Sequence, residues 1–271
     1  MRVGFGAGLL AAAAALVEPG PAGALPPPAW QMDRGDQYCT LVRLPTPATP
    51  YATAFRIIPG TEGPSIVLAP GRAAPPPAGI TAVALAPSGR AFDVVATTER
   101  HARGSLVRVL GGLDEHFWDT LAGATELQLK AGDAVRGRVA LPGAAPAVAA
   151  LRRCISQALR DWGVDEGALA ALRERPITTN MFGMNSNDYP LQAIRSSTQG
   201  RVVVRVTVGP DGRATDCRTV GPSGSAALDA TTCRVVMTRA RFRPAIGADG
   251  QPTAAPMIGT VLWLVPGRRR G

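Results

Sequence analysis

Residues 201–220, RVVVRVTVGPDGRATDCRTV, predict a β-hairpin. Every second residue at its start is an apolar side chain that should face a protein core: Val202, Val204, Val206 and Val208. The residues between them are polar apart from Val203, so that side of the strand should face water. The Pro-Asp-Gly sequence at 210–212 favours a tight turn, because proline presets φ and glycine adopts a positive φ. The stretch therefore predicts two antiparallel strands with one buried face, and it places Cys217 in the second strand.

The sequence around the hairpin predicts the rest of a small unit. A short helix fits between Asp165 and Pro176, where proline prevents its continuation. After the hairpin, Ser223 or Ser225 can cap a helix that extends to about residue 240. The apolar run Met257–Val265 predicts a final strand. The order helix, strand, strand, helix, strand is that of an α+β domain with a three-stranded antiparallel sheet and two helices.

The first half of the chain has a different pattern. Within residues 31–163, short apolar runs broken by proline and glycine recur at intervals of about ten residues, which is typical of a β-rich sandwich or barrel-like unit. Apolar residues then recur at helical spacing from Ala145 to Trp162, so a helix closes this unit. Residues 164–188 are interpreted as a short helix and linker, and residues 189–266 as the second domain.

The N-terminus, residues 1–24, has the pattern of a secretory signal peptide. Arg2 precedes the apolar run Gly4–Val17, and Ala22 to Ala24 form a small-x-small cleavage site. A helix of those 14 apolar residues would span about 21 Å, which is shorter than the roughly 30 Å hydrocarbon core of a membrane. We therefore expect cleavage after Ala24 rather than a retained membrane anchor.

The four cysteines are interpreted as two disulfides, because export places an even number of cysteines in an oxidising compartment. A Cys39–Cys154 bond would join the first strand of the β-rich unit to its closing helix. A Cys217–Cys233 bond would join the hairpin to the following helix. A reactive thiol at Cys217 is the alternative, and a metal site is disfavoured because the chain has no C-x-x-C pair.

The sequence predicts no catalytic centre, no metal site and no cofactor. GPSGS at residues 221–225 lacks the second glycine of a G-x-S-x-G nucleophile elbow. The net charge of +9 comes from dispersed arginines without a compact basic stripe, which argues against nucleic-acid binding. The basic residues at 267–271 are interpreted as a solvated tail.

Several short elements together resemble the C-terminal domain of TonB-family energy transducers. They are Tyr189-Pro190, GRVVVRVTV, PDGR, the Ser-Gly and Leu-Asp pairs at 223–224 and 228–229, RFRPA, and the closing apolar strand, spread over about residues 176–266. In the first half, CTLVR and LPGAAPAVAALRRC are similar to periplasmic proteins of the invasion-associated locus B type.

The TonB resemblance implies a periplasmic domain that binds an outer-membrane TonB-dependent receptor. A receptor segment would add as an extra strand beside the last strand. The partner-binding residues would then be Tyr189, Pro190, Ile258, Thr260, Val261, Leu262 and Leu264. Inner-membrane motor proteins become partners if the signal peptide is retained as an anchor, and a weak homodimer is compatible with such an edge. The alternative is a non-transport envelope protein that uses the fold as a docking domain.

Overall fold

The computed structural model describes residues 30–46, 51–60, 65–70, 77–101, 104–113 and 116–265. The expected signal peptide and basic tail lie outside these residues. The elements of the first unit are β1 (Gln31–Arg34), β2 (Cys39–Arg43), β3 (Tyr51–Ile57), β4 (Ser65–Pro70), β5 (Ala82–Ala86), β6 (Arg90–Asp93), β7 (Val95–His101), β8 (Gly104–Gly111), α1 (Phe117–Ala122), β9 (Glu126–Ala131), β10 (Ala134–Ala140) and α2 (Ala144–Asp161).

The remaining elements belong to the second half of the chain. They are α3 (Glu166–Ala170), β11 (Ile177–Thr178), the 3₁₀ turns Met181–Gly183 and Ser186–Asp188, α4 (Leu191–Arg195), β12 (Gly200–Val208), β13 (Ala214–Gly221), α5 (Ala226–Arg239), β14 (Phe242–Arg243), β15 (Ala245–Ile246), β16 (Pro252–Thr253) and β17 (Ala255–Trp263). The predicted α+β class is confirmed.

The first unit consists of two antiparallel sheets around one core. One sheet has the strand order β1-β2-β3-β4-β8-β7 and the other β10-β9-β5-β6, and neither closes into a barrel in the described part of the chain. Alternate residues along β3 are buried, as period-two burial of one strand face requires. Helix α2 covers the core with an apolar stripe that includes Val148 and Leu151. The structure joins Cys39 to Cys154 by a disulfide, with the Cα atoms 6.1 Å apart.

The second unit is built on the three-stranded antiparallel sheet β13-β12-β17. The four alternate valines of β12 are fully buried under α5, as their spacing predicts. The indole N–H of Trp263, at the end of β17, donates to Thr232 Oγ1 on α5 at 3.0 Å. Cys217 and Cys233 form a disulfide with a Cα–Cα distance of 5.5 Å, which fastens β13 to the same helix.

Local structure differs from the sequence expectation at three places. The helix that begins at Asp165 contains only Glu166–Ala170, although the Asp165 side chain caps it by accepting from the backbone N–H groups of residues 167 and 168. The final strand ends at Trp263 rather than at residue 265. Ser225 occupies the N-cap position of α5 without a capping hydrogen bond from its side chain.

The segment predicted to be a linker, residues 177–188, packs against the second unit. Its β11 pairs with β14, and the Phe182 side chain is buried in the same core as the β12 valines. The Phe182 ring contacts Phe242 edge-on, with ring centroids 6.0 Å apart. A stretch without apolar periodicity is ordered here by one aromatic anchor and a two-residue strand.

The two units pack directly on each other. Val203, the exception in the alternating pattern, is fully buried in a cluster with Leu159 and Val164 of the first unit and Ile258 of β17. Thus the side of β12 that was expected to face water is covered here by the C-terminal end of α2. Gln37 of the first unit adds a hydrogen bond from Nε2 to the Arg201 carbonyl at 2.9 Å.

Candidate functional site: an open sheet edge beside a basic groove

Strand β17 is the outer strand of its sheet, so one of its two backbone edges has no neighbouring strand among the described residues. An unpaired strand edge presents a row of N–H and C=O groups that can hydrogen-bond to another chain. This edge is therefore the first candidate for a binding site. Which residues of β17 present those groups follows from the hydrogen bonds of the central strand.

The odd-numbered residues of β12 direct their backbone groups toward β13. The Arg201 carbonyl accepts from Gln37, which also donates to the Pro222 carbonyl at the end of β13. Thr207 O accepts from the hydroxyl of Thr215, a residue of β13, at 3.2 Å. Because backbone groups alternate along a strand, the even-numbered residues of β12 bond to β17.

The register of β12 and β17 then assigns the free edge. Even-numbered β12 residues pair with odd-numbered β17 residues, for example Val202 with Val261 and Val204 with Gly259. The backbone groups of Ile258, Thr260 and Leu262 therefore point outward. Pro256 agrees with this assignment, because proline has no N–H and is tolerated in a strand where that group would face away from the sheet.

A groove of about 1190 Å³ runs along this strand between the two units. One wall is formed by residues 256–260 of β17, and the other by residues of β3, by Ile58 and Gly60 after it, and by α3. The lining also includes residues 174–178, Phe182 and several arginines. The Thr260 hydroxyl oxygen is buried and has no hydrogen-bond partner among the described residues. The groove thus combines apolar walls with an unsatisfied polar atom at the sheet edge.

Two glycines allow the close packing around the groove. A methyl group on Gly259 would overlap the Phe182 ring, so the absence of a side chain lets that ring lie under β17. Gly60, in the loop after β3, has a φ of +78°, and a Cβ there would lie 2.6 Å from Ile258 Cγ1. The first unit therefore contacts β17 at the Ile258 side chain, on the face of the sheet that carries Val203.

Positive charge dominates the lining of the groove. It includes five arginines and two glutamates: Arg56, Arg108, Arg175, Arg201, Arg243, Glu166 and Glu174. Burial, together with the positive charges of Arg56 and Arg108, lowers the pKa of Arg201. Arg56 lies over the Tyr38 ring, 4.1 Å from its centroid, and its Nε donates to Thr40 Oγ1 at 3.2 Å.

The residues predicted on the last strand lie along this edge in different environments. Ile258 is buried against the first unit, and Thr260 and Val261 are half-buried. Leu262 and Leu264 are 54% and 57% exposed. Leu262 belongs to the strand, whereas Leu264 follows its end at Trp263. Val261 directs its backbone groups toward β12, so only its side chain is available to a partner.

Tyr189 and Pro190 come before β12 in the chain, and neither is part of the groove lining. Tyr189 is buried in the core of the second unit, where its ring meets Trp263 edge-on at 5.1 Å and its hydroxyl donates to the Thr198 carbonyl at 2.6 Å. Burial raises the pKa of the Tyr189 hydroxyl. Pro190 precedes α4 at its N-cap position. Tyr189 thus stabilises the core of the second unit, and Pro190 marks the start of α4.

Sequence reasoning missed the residues that line the groove from outside the final strand. Arg56 belongs to the first unit, and Arg201 was noted only as a polar position of the hairpin. No local motif marks either of them, because they become neighbours only when the two units pack. Phe182 could have been found as the single aromatic residue in the segment 177–188.

The described residues contain no group of three or more His, Cys, Asp or Glu side chains placed to hold a metal ion. None of the described helices is long and apolar enough to cross a membrane. The arrangement that stands out is therefore an open strand edge that adjoins a basic groove.

The second unit is thus a small antiparallel sheet with one helix on its face and an outer strand whose edge is open among the described residues. Residues 185–263 match the family model described as Gram-negative bacterial TonB protein C-terminal, and this part of the chain is a TonB-type C-terminal domain. Domains of this family are non-enzymatic transducer or binding domains of the cell envelope and generally interact with outer-membrane receptors. No curated protein matches the chain in sequence, and the resemblance of the first half to invasion-associated locus B proteins gains no support.

Proposed function

We propose that this chain is an exported periplasmic protein that binds an extended segment of an outer-membrane TonB-dependent receptor by strand addition along β17. The outward backbone groups of Ile258, Thr260 and Leu262 carry this proposal. Main-chain hydrogen bonds to such an edge provide affinity, and pockets for alternate side chains provide selectivity. A short added strand makes a small interface, which suits a transient contact.

The signal-peptide pattern and the disulfides support export. Disulfides persist in oxidising compartments such as the periplasm, and both cysteine pairs are bonded in the structure. N-terminal sequencing of the mature protein tests this step. A start after Ala24 is expected, whereas a membrane-bound form that begins before Ala22 would identify an anchored protein and make inner-membrane motor proteins its partners.

Backbone-modified peptides test strand addition without altering the protein. The probe is a synthetic peptide of a receptor's plug segment, prepared in two forms with N-methyl groups on alternate residues. In one form the lost N–H groups would face β17, and binding should weaken by tenfold or more if three bonds of about 0.5–1.5 kcal/mol each are removed. The other form should bind like the unmodified peptide. Equal binding of the two forms would exclude strand addition.

A matched pair of protein variants identifies which edge is used. Leu262→Pro removes one outward N–H from β17. Thr219→Pro is the control, because Thr219 pairs with Val204 and directs its N–H away from β12 at the opposite edge of the same sheet. Loss of peptide binding in the first variant alone supports β17 as the binding edge. Equal losses in both variants would indicate a different surface.

A second function is favoured by the contact between the two units. The first unit packs on the TonB-type sheet, where its Leu159 contacts Val203 and Ile258. In this chain a folded unit therefore precedes the TonB-type domain, whereas energy transducers of the family have a long spacer at that position. An envelope protein that docks other partners without transport would use the same edge. Retention of peptide binding, together with unchanged uptake through TonB-dependent receptors when the gene is deleted, would support this second function.

A further inference from the structure

We propose that the first unit selects the segment that binds at β17, and that this segment is acidic. The inference rests on the proposed strand addition and adds the chemistry of the occupant. Arg56 from β3 and Arg201 from β12 line the same groove and would together bind a carboxylate of the added strand. The selective surface is thus shared by the two units.

The guanidinium groups available for this role have no carboxylate neighbour. Within the described ranges, no Asp or Glu oxygen lies within ion-pair distance of Arg56, Arg175, Arg201 or Arg243, although seven other arginine–carboxylate pairs are formed. Arg56 and Arg201 thus bring two positive charges to the groove without an ion-pair partner in the part of the chain that the structure describes. A partner with carboxylates would supply the missing charge.

The position of Arg201 fits an added strand. Arg201 pairs with Leu262, and both side chains lie on the face of the sheet that packs against the first unit, beside Val203 and Thr260. Neighbouring strands are about 4.8 Å apart, so a strand added beyond β17 would lie about 10 Å from β12. An arginine and a glutamate side chain together bridge that distance across the face of β17.

Arg56 approaches the same place from the other unit. Its guanidinium is held over Tyr38 and bonded to Thr40, which restricts its orientation. Its charge is close enough to contribute to the lowered pKa of Arg201. Two like charges held near each other in a partly buried groove repel, and a carboxylate between them removes that repulsion. The occupant is therefore an extended peptide that has Glu or Asp at the positions whose side chains face the first unit.

Charge-matched peptides test this inference. The probes are synthetic seven-residue peptides of alternating Thr and Val, in which two Thr positions on one face are replaced by Glu or, in the matched set, by Gln. Fluorescence anisotropy at low ionic strength should show the Glu peptide binding about tenfold more tightly, and added salt should reduce the difference. Equal affinities of the two peptides would overturn the inference and leave strand addition intact. If none of these peptides binds, and N-methylation does not change the binding of the receptor plug peptide, both the charge selection and strand addition are overturned.

Protein variants assign the effect to the two arginines. Arg56→Gln and Arg201→Gln should each weaken the Glu peptide about fivefold and leave the Gln peptide within twofold. Arg213→Gln removes the same charge from the hairpin turn, outside the groove, and should have no effect on either peptide. In Arg201→Glu, a Lys-bearing peptide should bind better than the Glu peptide. Equal weakening of both peptides by the groove variants, or failure of the charge exchange, would show that these residues act on the fold rather than on selection.

Discussion

The contact between the two units can be tested at Gly60, where a single methyl group reports on the packing. Gly60 belongs to the loop after β3, yet a Cβ at this position would lie 2.6 Å from Ile258 Cγ1 and 3.2 Å from Leu159 Cδ2. Gly60→Ala should therefore cost free energy for two reasons. The backbone has a left-handed φ of +78°, and the new methyl group overlaps β17.

The two costs can be separated by a control glycine. A left-handed conformation costs an L-residue about 1–2 kcal/mol, and overpacking typically adds about 1–3 kcal/mol. Gly89 has a similar φ of +71° with no atom within 4 Å of a Cβ, so Gly89→Ala carries only the backbone cost. Gly60→Ala should thus lower the free energy of unfolding by about 1–3 kcal/mol more than Gly89→Ala.

Urea denaturation of the full chain, followed by tryptophan fluorescence, measures both variants. Repeating the comparison in an Ile258→Ala background should reduce the excess cost at Gly60, because the shortest contact, with Ile258 Cγ1, is then absent while Ile258 Cβ and Leu159 Cδ2 remain. Such a coupling energy of about 1–3 kcal/mol identifies a direct contact between the loop and β17. If Gly60→Ala and Gly89→Ala are equally destabilising in the wild-type background, the loop does not contact β17 in solution. The inference that the two units form the groove together would then be refuted.

Three further predictions concern stability. Replacing both Cys217 and Cys233 by Ala should lower the free energy of unfolding by about 3 kcal/mol, because the closed loop no longer restricts the unfolded chain. Asp188→Asn should cost about 1.5–3 kcal/mol at pH 7, because Asp188 accepts from the Asn185 N–H at 2.9 Å and pairs with Arg239. Burial raises the pKa of Asp188, but these partners outweigh it and hold that pKa below its usual value. The stabilisation should therefore be complete above about pH 3.9 and be lost as the pH falls through the lower folded-state value. Arg43→Met should raise the free energy of unfolding by about 1 kcal/mol, because this buried guanidinium lies over Trp30 and has no hydrogen-bond partner among the described residues.

Chemical denaturation checks each of these values. A double cysteine variant as stable as the oxidised protein would contradict a stabilising bond. For Asp188→Asn, a difference from the wild type that persists unchanged at pH 2 would indicate that the carboxylate charge is not responsible. A loss of stability in Arg43→Met would show that the contact with Trp30 outweighs the cost of burying the charge.

Local patterns predicted the hairpin, the long helix and the last strand of the second unit because each one is encoded over a short stretch, whereas α4 and the two-residue strands were not predicted. The β12 valines follow the period of a strand and are buried as expected, and the turn at 210–212 joins the strands that it should. The pairing of Cys217 with Cys233 also followed from their places on a strand and on the helix that packs against it. Val203 stood out as an exception to the alternating pattern, but the residues that bury it, Leu159 and Val164, belong to another part of the chain.

The sequence by itself determined the class of both units, the buried face of β12 and the TonB-type domain, because periodicity, turn residues and their order are properties of neighbouring positions. The tertiary structure alone decided which backbone groups of the last strand point outward and what surrounds them. The outward groups of Ile258 and Leu262 depend on the strand register, and the basic groove depends on residues as distant in sequence as Arg56 and Arg201. Such a site is a product of packing between two units, and packing leaves no periodic trace in the sequence.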